Sequence, residues 1–302
     1  MSRSQFSRIW HVAVGELQNS IRTRKALVVL ALYLVFSVSS MIGTISLFSK
    51  LEGEVANLLQ LPKAEQVGSM SQQLWESPVF LRMVRSSVKD PTVFEYIRGY
   101  HPVVLAYAWF ALFLAPLLAV LSAGGRVSDE LRTKSARFAL SRVSRTEWTL
   151  GKFCGQMLQN AIALVVSILA VWAVCMIMLK AHVAWELFAS MCEWGVKVWI
   201  YSFAWLGIAS GISHMTESPS RAVCFGILAI ALFAALPPLL QLSADAFSLP
   251  WLVNFSQLSP NSVKDMLWRG GTMTYLVGTV HFFALGCFYL AVGHSVMKRK
   301  DI

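Results

Sequence analysis

The residue types that carry acid–base, nucleophilic or metal chemistry are thinly spread in this chain. Six histidines (His11, His101, His182, His214, His281 and His294) are scattered along it. No HExxH, CxxC, GxSxG or GxxxxGK[ST] pattern occurs, so zinc hydrolysis, dithiol exchange, serine hydrolysis and a phosphate-cradling loop have no local signature. The missing phosphate loop implies that any energy-driven role draws on a nucleotide site in another protein. Glu193 and Lys197 are spaced i, i+4, on one face of a helix turn. Their expected depth is an outer interface, which favours a neutralising pair over a proton relay. His281 lies inside the last apolar run. Ionisable groups there often line a pathway, but a hydrogen bond to a neighbouring helix is the favoured role. The densest chemistry is charge: residues 126–152 hold seven Lys/Arg and three acids between two uncharged stretches.

The elements that position these groups follow from composition. Hydrophobic residues make up 56% of the 302 and charged residues 14%, against roughly 45–50% and 25% in soluble domains. The charges cluster between long apolar runs. About 20 apolar residues at 1.5 Å each cross the hydrocarbon of a bilayer, and only closed backbone hydrogen bonding is tolerated there. The pattern predicts transmembrane helices at 26–49, 102–125, 153–179, 194–213, 222–242 and 272–296. Pro237-Pro238 should kink or stop the fifth near its outer end.

Lys and Arg orient the spans. With the N-terminus inside, the inner segments carry 16 bases against 6 acids, and the outer segments ten against ten. The whole net charge of +10 then lies on one side, as the positive-inside rule expects. Both termini are expected to be cytoplasmic, in a bacterial-type inner membrane. Topology accounts for the charge, so no nucleic-acid partner is expected.

Residues 4–24 place Phe6, Ile9, Trp10, Ala13, Leu17 and Ile21 at helical spacing, with Gln5, Arg8, Glu16, Gln18 and Arg22 on the other side. This reads as an amphipathic elbow in the membrane interface, or else as a soluble tail. No cleaved signal peptide is expected. Residues 50–101 form a long outer segment with short helices expected near 51–60, 71–76, 79–88 and 92–100. It is either a small helical cap that meets an extracytoplasmic protein or an irregular loop. Met70 and Met83 make no metal-binding tract there. The outer segment 243–271, with Trp251 and Trp268, is expected to rest on the interface. The five cysteines fall in or beside spans and read as free thiols, although a Cys175–Cys192 bridge is conceivable. Gly207, Ser210, Gly211, Gly278 and Gly286 suit close helix packing or a dimer seam.

Glu130, Ser135, Ala139-Leu140-Ser141, Val143-Ser144-Arg145 and Gly151-Lys152 follow one another in residues 126–152. That order resembles the cytoplasmic loop of an ABC-2 type permease: an acid, Gly-Thr or Ser, Leu-Leu-Ser, Pro-Val-Ser-Arg, then Gly-Lys before the third span. The N-terminal elbow, residues 213–222, the long first outer loop and the basic terminus 297–302 are similar too. The likeness is greatest to permeases such as the one serving nitrous-oxide reductase maturation. Lys134 stands where Gly is usual, and the Pro before Val-Ser-Arg is absent.

The resemblance implies an all-α polytopic fold of six transmembrane helices with an elbow, like the type V ABC exporters. It implies a permease homodimer in the lipid bilayer, moved by cytoplasmic ABC ATPase subunits that use ATP and Mg, with no cofactor or metal bound by this chain itself. The ATPase would meet Glu130, Arg132, Ser135, Arg137, Arg142, Arg145 and Lys152, and secondarily Glu217 and Arg221. Leu131, Phe138, Leu140 and Val143 would bury against membrane or partner. Two readings compete. A membrane enzyme needs convergent catalytic groups, and none is seen; a non-transporting scaffold or accessory subunit would lack substrate-stimulated ATP hydrolysis.

Overall fold

Apolar runs that cannot leave amides unpaired in lipid close into helices, and this chain does so almost throughout. The structure, a computed structural model, describes residues 3–58, 82, 85, 90–179 and 181–299. Among the described residues every regular element is helical. In order these are α1 (Arg3–Arg22), α2 (Lys25–Leu58), α3 (Pro91–Arg98), α4 (Pro102–Ala123), α5 (Arg126–Arg132) and α6 (Ala136–Leu140). They are followed by α7 (Arg145–Met178), α8 (Ala181–Met215), α9 (Pro219–Phe247), α10 (Pro260–Val263) and α11 (Thr272–Lys298). Two 3₁₀ turns, Pro250–Leu258 and Lys264–Trp268, flank α10. Among the described residues six helices are long and apolar enough to cross a membrane: α2, α4, α7, α8, α9 and α11.

Several helices exceed their uncharged stretches. α7 starts at Arg145 rather than 153, because Ser144 and Glu147 form a capping box. The Ser144 hydroxyl accepts from the Glu147 amide at 3.2 Å, and the Glu147 carboxylate accepts from the Ser144 amide at 2.9 Å. α8 starts at Ala181 rather than 194, so Glu193 and Lys197 lie within the helix. α9 runs through Pro237-Pro238 and ends only at Phe247. Membrane helices tolerate prolines where local adjustment satisfies the freed carbonyls. The helix expected at 51–60 continues α2, and that expected at 92–100 is α3. Those at 71–76 and 79–88, with Met70 and Met83, lie outside the described residues apart from Arg82 and Arg85.

α8 is the axis of the bundle. It packs on α11, α4 and α7, and 78% of its apolar window is buried against 6% for α9 and 17% for α2. Gly207 and Gly211 of α8 meet Gly286, Tyr289 and Gly293 of α11 so closely that an added Cβ would strike backbone. The small residues thus serve packing within the chain, as in membrane helix pairs generally. Buried polar groups stitch α7 to α8: Ser210 donates to the Gln156 amide oxygen at 2.6 Å, and Asn160 donates to Ser202. All five cysteines are unpaired.

The helices alternate in direction, so the start of α2, the end of α4, α5, α6, the start of α7, the end of α8, the start of α9 and the end of α11 share one end. This is the basic end. The other end carries α3 and the segment 248–271.

Candidate functional site

The basic end begins with α1 lying on the first turns of α7. Gly151 and Gly155 permit the approach: a Cβ on Gly151 would fall 2.9 Å from the Ile9 carbonyl oxygen, and one on Gly155 2.8 Å from that of Ala13. The buried stripe of α1 is Ile9, Ala13, Glu16 and Ser20, whereas Phe6, Trp10 and Ile21 are more than half exposed. The expected apolar face therefore splits in two. Glu16, expected on the polar side, is only 3% exposed.

Glu16 is buried because cations meet it. Lys152, one residue after Gly151, donates to both Glu16 and Glu130. Its ammonium also lies 5.7 Å from the Trp148 ring. Arg126 approaches the second Glu16 oxygen at 3.7 Å, and donates to the Ser122 carbonyl at 3.0 Å and to the Gln159 side chain at 3.3 Å. Around this core Lys25 pairs with Asp129 at 3.1 Å, Arg132 with Asp129 at 2.9 Å, and Arg8 with Glu147 at 3.3 Å. α1, α2, α5 and α7 are thereby tied through charge. Removing Lys152 or Glu16 from the buried core typically costs about 3–5 kcal/mol, since the other is left unpaired, whereas the pairs of the exposed Arg8, Lys25 and Arg132 contribute little.

A small apolar core continues the junction: Val127, Leu131, Ala136, Trp148 and Met297, with Leu140 and Val143 half-buried against it. The Thr149 hydroxyl lies 2.9 Å from His294 and 3.3 Å from His214, and the Ser128 amide donates to Ser213 at 3.1 Å. The short helices of the basic end therefore rest on the ends of α8 and α11.

Residues 133–144 rise from this base. α5 ends at Arg132 with Thr133 as its C-cap, and Lys134 turns the chain with φ 58°. That left-handed conformation is natural to glycine and strained for other residues, which gives a physical reason for Gly being usual there. α6 presents Phe138, 81% exposed, between the exposed Arg137 and Arg142. Below it is an open groove of about 590 Å³ lined by Arg137, Leu140, Ser141, Val143, Ser144 and Arg145.

The expected site residues consequently divide. Glu130 and Lys152 belong to the buried ion network. Arg132 pairs within its own helix, the Ser135 hydroxyl lies 3.0 Å from that of Thr133, and Arg145 donates to the Lys298 carbonyl at 2.9 Å. Arg137 and Arg142 stand at the surface; at the same end Glu217 is exposed in the α8–α9 connection and Arg221 in the first turn of α9. His281 lies 2.9 Å from the Gln257 carbonyl oxygen, joining α11 to the first 3₁₀ turn.

A family model described as ABC-2 family transporter protein matches residues 10–294. The chain belongs to that family. No curated protein matches it. Six membrane-competent helices in such a chain make it a multi-pass membrane permease, and the family implies an ABC ATPase partner. In this permease both residues of the Gly-Lys pair before the third span are used structurally. Gly151 admits α1, and Lys152 neutralises two glutamates.

The sequence alone does not mark Glu16, Arg126, Gly155 or the Ser144/Glu147 cap as site residues. The cap was legible as Ser-x-x-Glu before an apolar run. Glu16 had a fainter signal, its i, i+3 and i, i+7 spacing from Ala13 and Ile9.

At the far end of the permease Lys197 pairs with Glu193 at 2.7 Å. Its ammonium lies 4.3 Å from the Trp194 ring and 4.6 Å from that of Tyr96. The Tyr96 and Tyr100 hydroxyls donate to Glu193 at 2.7 and 2.8 Å. Burial pushes the Tyr100 phenol up to about 12. Asp90 caps α3 through the Thr92 amide at 2.9 Å and pairs with Arg269 at 3.0 Å. Hydrogen bonds from Thr92, with smaller help from Arg269, hold its carboxyl below the usual range. Among the described residues no three His, Cys, Asp or Glu groups gather to hold a metal.

Proposed function

We propose that this chain is the membrane subunit of an ABC exporter and that its ATPase docks on residues 133–144. The observation that carries the reading is the contrast within one short segment. Phe138 stands exposed between two exposed arginines, on a base fixed by buried ion pairs and a small core. An exposed aromatic flanked by arginines has the composition of an interaction hot spot, and the base transmits a push to α1, α2, α7, α8 and α11 together. Arg137 and Arg142 are the primary contacts, with Glu217 and Arg221 as a second one. Glu130, Lys152 and Arg145 act as structural anchors behind them.

ATP and Mg would be handled wholly by the ATPase. Two permeases pair as a homodimer in an inner membrane, in the manner of type V exporters, with α1 as the elbow and the basic end cytoplasmic. The asymmetry of Lys and Arg supports that orientation. The product is outward movement of cargo or of force, and residues 50–101 are where an extracytoplasmic protein would receive it. The sequence resemblance to the nitrous-oxide reductase maturation permeases fits such a role.

Co-purification tests the docking. The full chain in detergent is expected to retain an ABC ATPase, and Phe138→Asp to lose it while keeping its own melting temperature. Retention of the ATPase by Phe138→Asp would contradict docking at this tip.

A further inference from the structure

A lateral hollow of about 690 Å³ opens between the start of α2, the end of α4 and the start of α9. Its apolar wall is formed by Leu121, Val223, Ile227 and Leu228, with Ala231 farther along α9. Its polar end holds Lys25 and Arg126, and no carboxylate lines it. Lys25 is more than half exposed despite its contact with Asp129, whereas Arg126 is held by Glu16, Ser122 and Gln159. Across the network Lys25, Arg126, Arg132 and Lys152 face Glu16, Asp129 and Glu130, which leaves one positive charge uncompensated. Arg22 and Arg24, both exposed, immediately precede Lys25.

A cationic end above a greasy wall, open sideways in a membrane span, matches one ligand chemistry: a phosphate that carries acyl chains. Basic hollows between spans at such an end bind anionic headgroups. We infer that this hollow binds an anionic phospholipid, with its phosphate at Lys25 and Arg126 and an acyl chain along Val223, Ile227 and Ala231. The lipid acts as a tie between α2, α4 and α9, the last of which has very little protein around it. The site is separate from the tip at 133–144 and is read by lipid binding, without reference to ATP.

The test uses the full chain, delipidated and placed in nanodiscs of phosphatidylcholine with or without phosphatidylglycerol, with bound lipid counted by native mass spectrometry. Retained phosphatidylglycerol and a higher melting temperature are expected, and neither with phosphatidylcholine alone nor with added inorganic phosphate. Lys25→Ala should weaken retention about fivefold, the worth of one juxtamembrane cation. Asp129→Asn breaks the same ion pair but frees Lys25, so it should retain the lipid at least as well as the parent. Ala231→Trp fills the apolar end at an exposed position and should abolish selective retention while leaving melting in phosphatidylcholine unchanged. Equal retention of both lipids would overturn the inference, as would matching losses in Lys25→Ala and Asp129→Asn. So would a response to inorganic phosphate as large as that to the lipid. A change of oligomeric state in Ala231→Trp with lipid retention intact would assign the hollow to a second copy instead.

Discussion

Residues 126–132 and 133–144 are neighbours in one basic segment, yet their charges meet different surroundings. In the first stretch Arg126 and Glu130 are drawn into a buried network with Glu16 and Lys152, and Asp129 bridges Lys25 and Arg132. In the second, Arg137 and Arg142 face outward beside an exposed phenylalanine. Charge that is paired and buried fixes where helices sit, and breaking it is strongly destabilising. Charge at an exposed tip adds little to folding and is available to a partner. The segment is thus a buried base with an exposed tip at Arg137, Phe138 and Arg142, and either can be perturbed without the other.

Substitutions in the base, and then at the two turns that hold the tip, should have the largest effects on stability. Lys152→Met strands Glu16 and Glu130, with an expected loss of about 3–5 kcal/mol. It should appear as a large drop in melting temperature of the full chain in detergent, and an unchanged melt would show the network to be incidental. Gly155→Leu forces a side chain between α7 and α1, where Ala13 and Glu16 already touch. About 1–3 kcal/mol should be lost by overpacking, with increased proteolysis of α1. Ser144→Ala removes half of the capping box at the start of α7, for about 1 kcal/mol. Lys134→Gly should go the other way, raising stability by up to about 1 kcal/mol by relieving the left-handed turn. A destabilised Lys134→Gly would mean that the lysine side chain contributes more than its backbone costs.

The six spans were legible because a period-free apolar run of sufficient length has few alternatives in a bilayer. Their boundaries were less so. Charge-free stretches end where charge begins, whereas α7 and α8 carry their helices onward through charged turns that pack against other elements. The segment 126–152 was visible as a block of basic residues, but not its division. A lysine bound for a buried pair and an arginine bound for solvent look alike until the partner is placed, and the partner of Lys152 lies 136 residues away in α1. Glu16 illustrates the same limit, since a lone acid on an amphipathic helix is normally a solvated residue. Lys134 was conspicuous as a departure from the family pattern, and its positive φ supplies the reason.

The measurement that bears most directly on the division is ATP hydrolysis by the permease–ATPase complex in vesicles, with Arg137→Glu and Arg142→Glu combined. A base that folds independently of its tip predicts a stability within about 0.5 kcal/mol of the parent and loss of the permease-dependent stimulation of hydrolysis. Parent-like stimulation in that double variant would contradict docking at the tip and leave residues 133–144 as a topogenic loop.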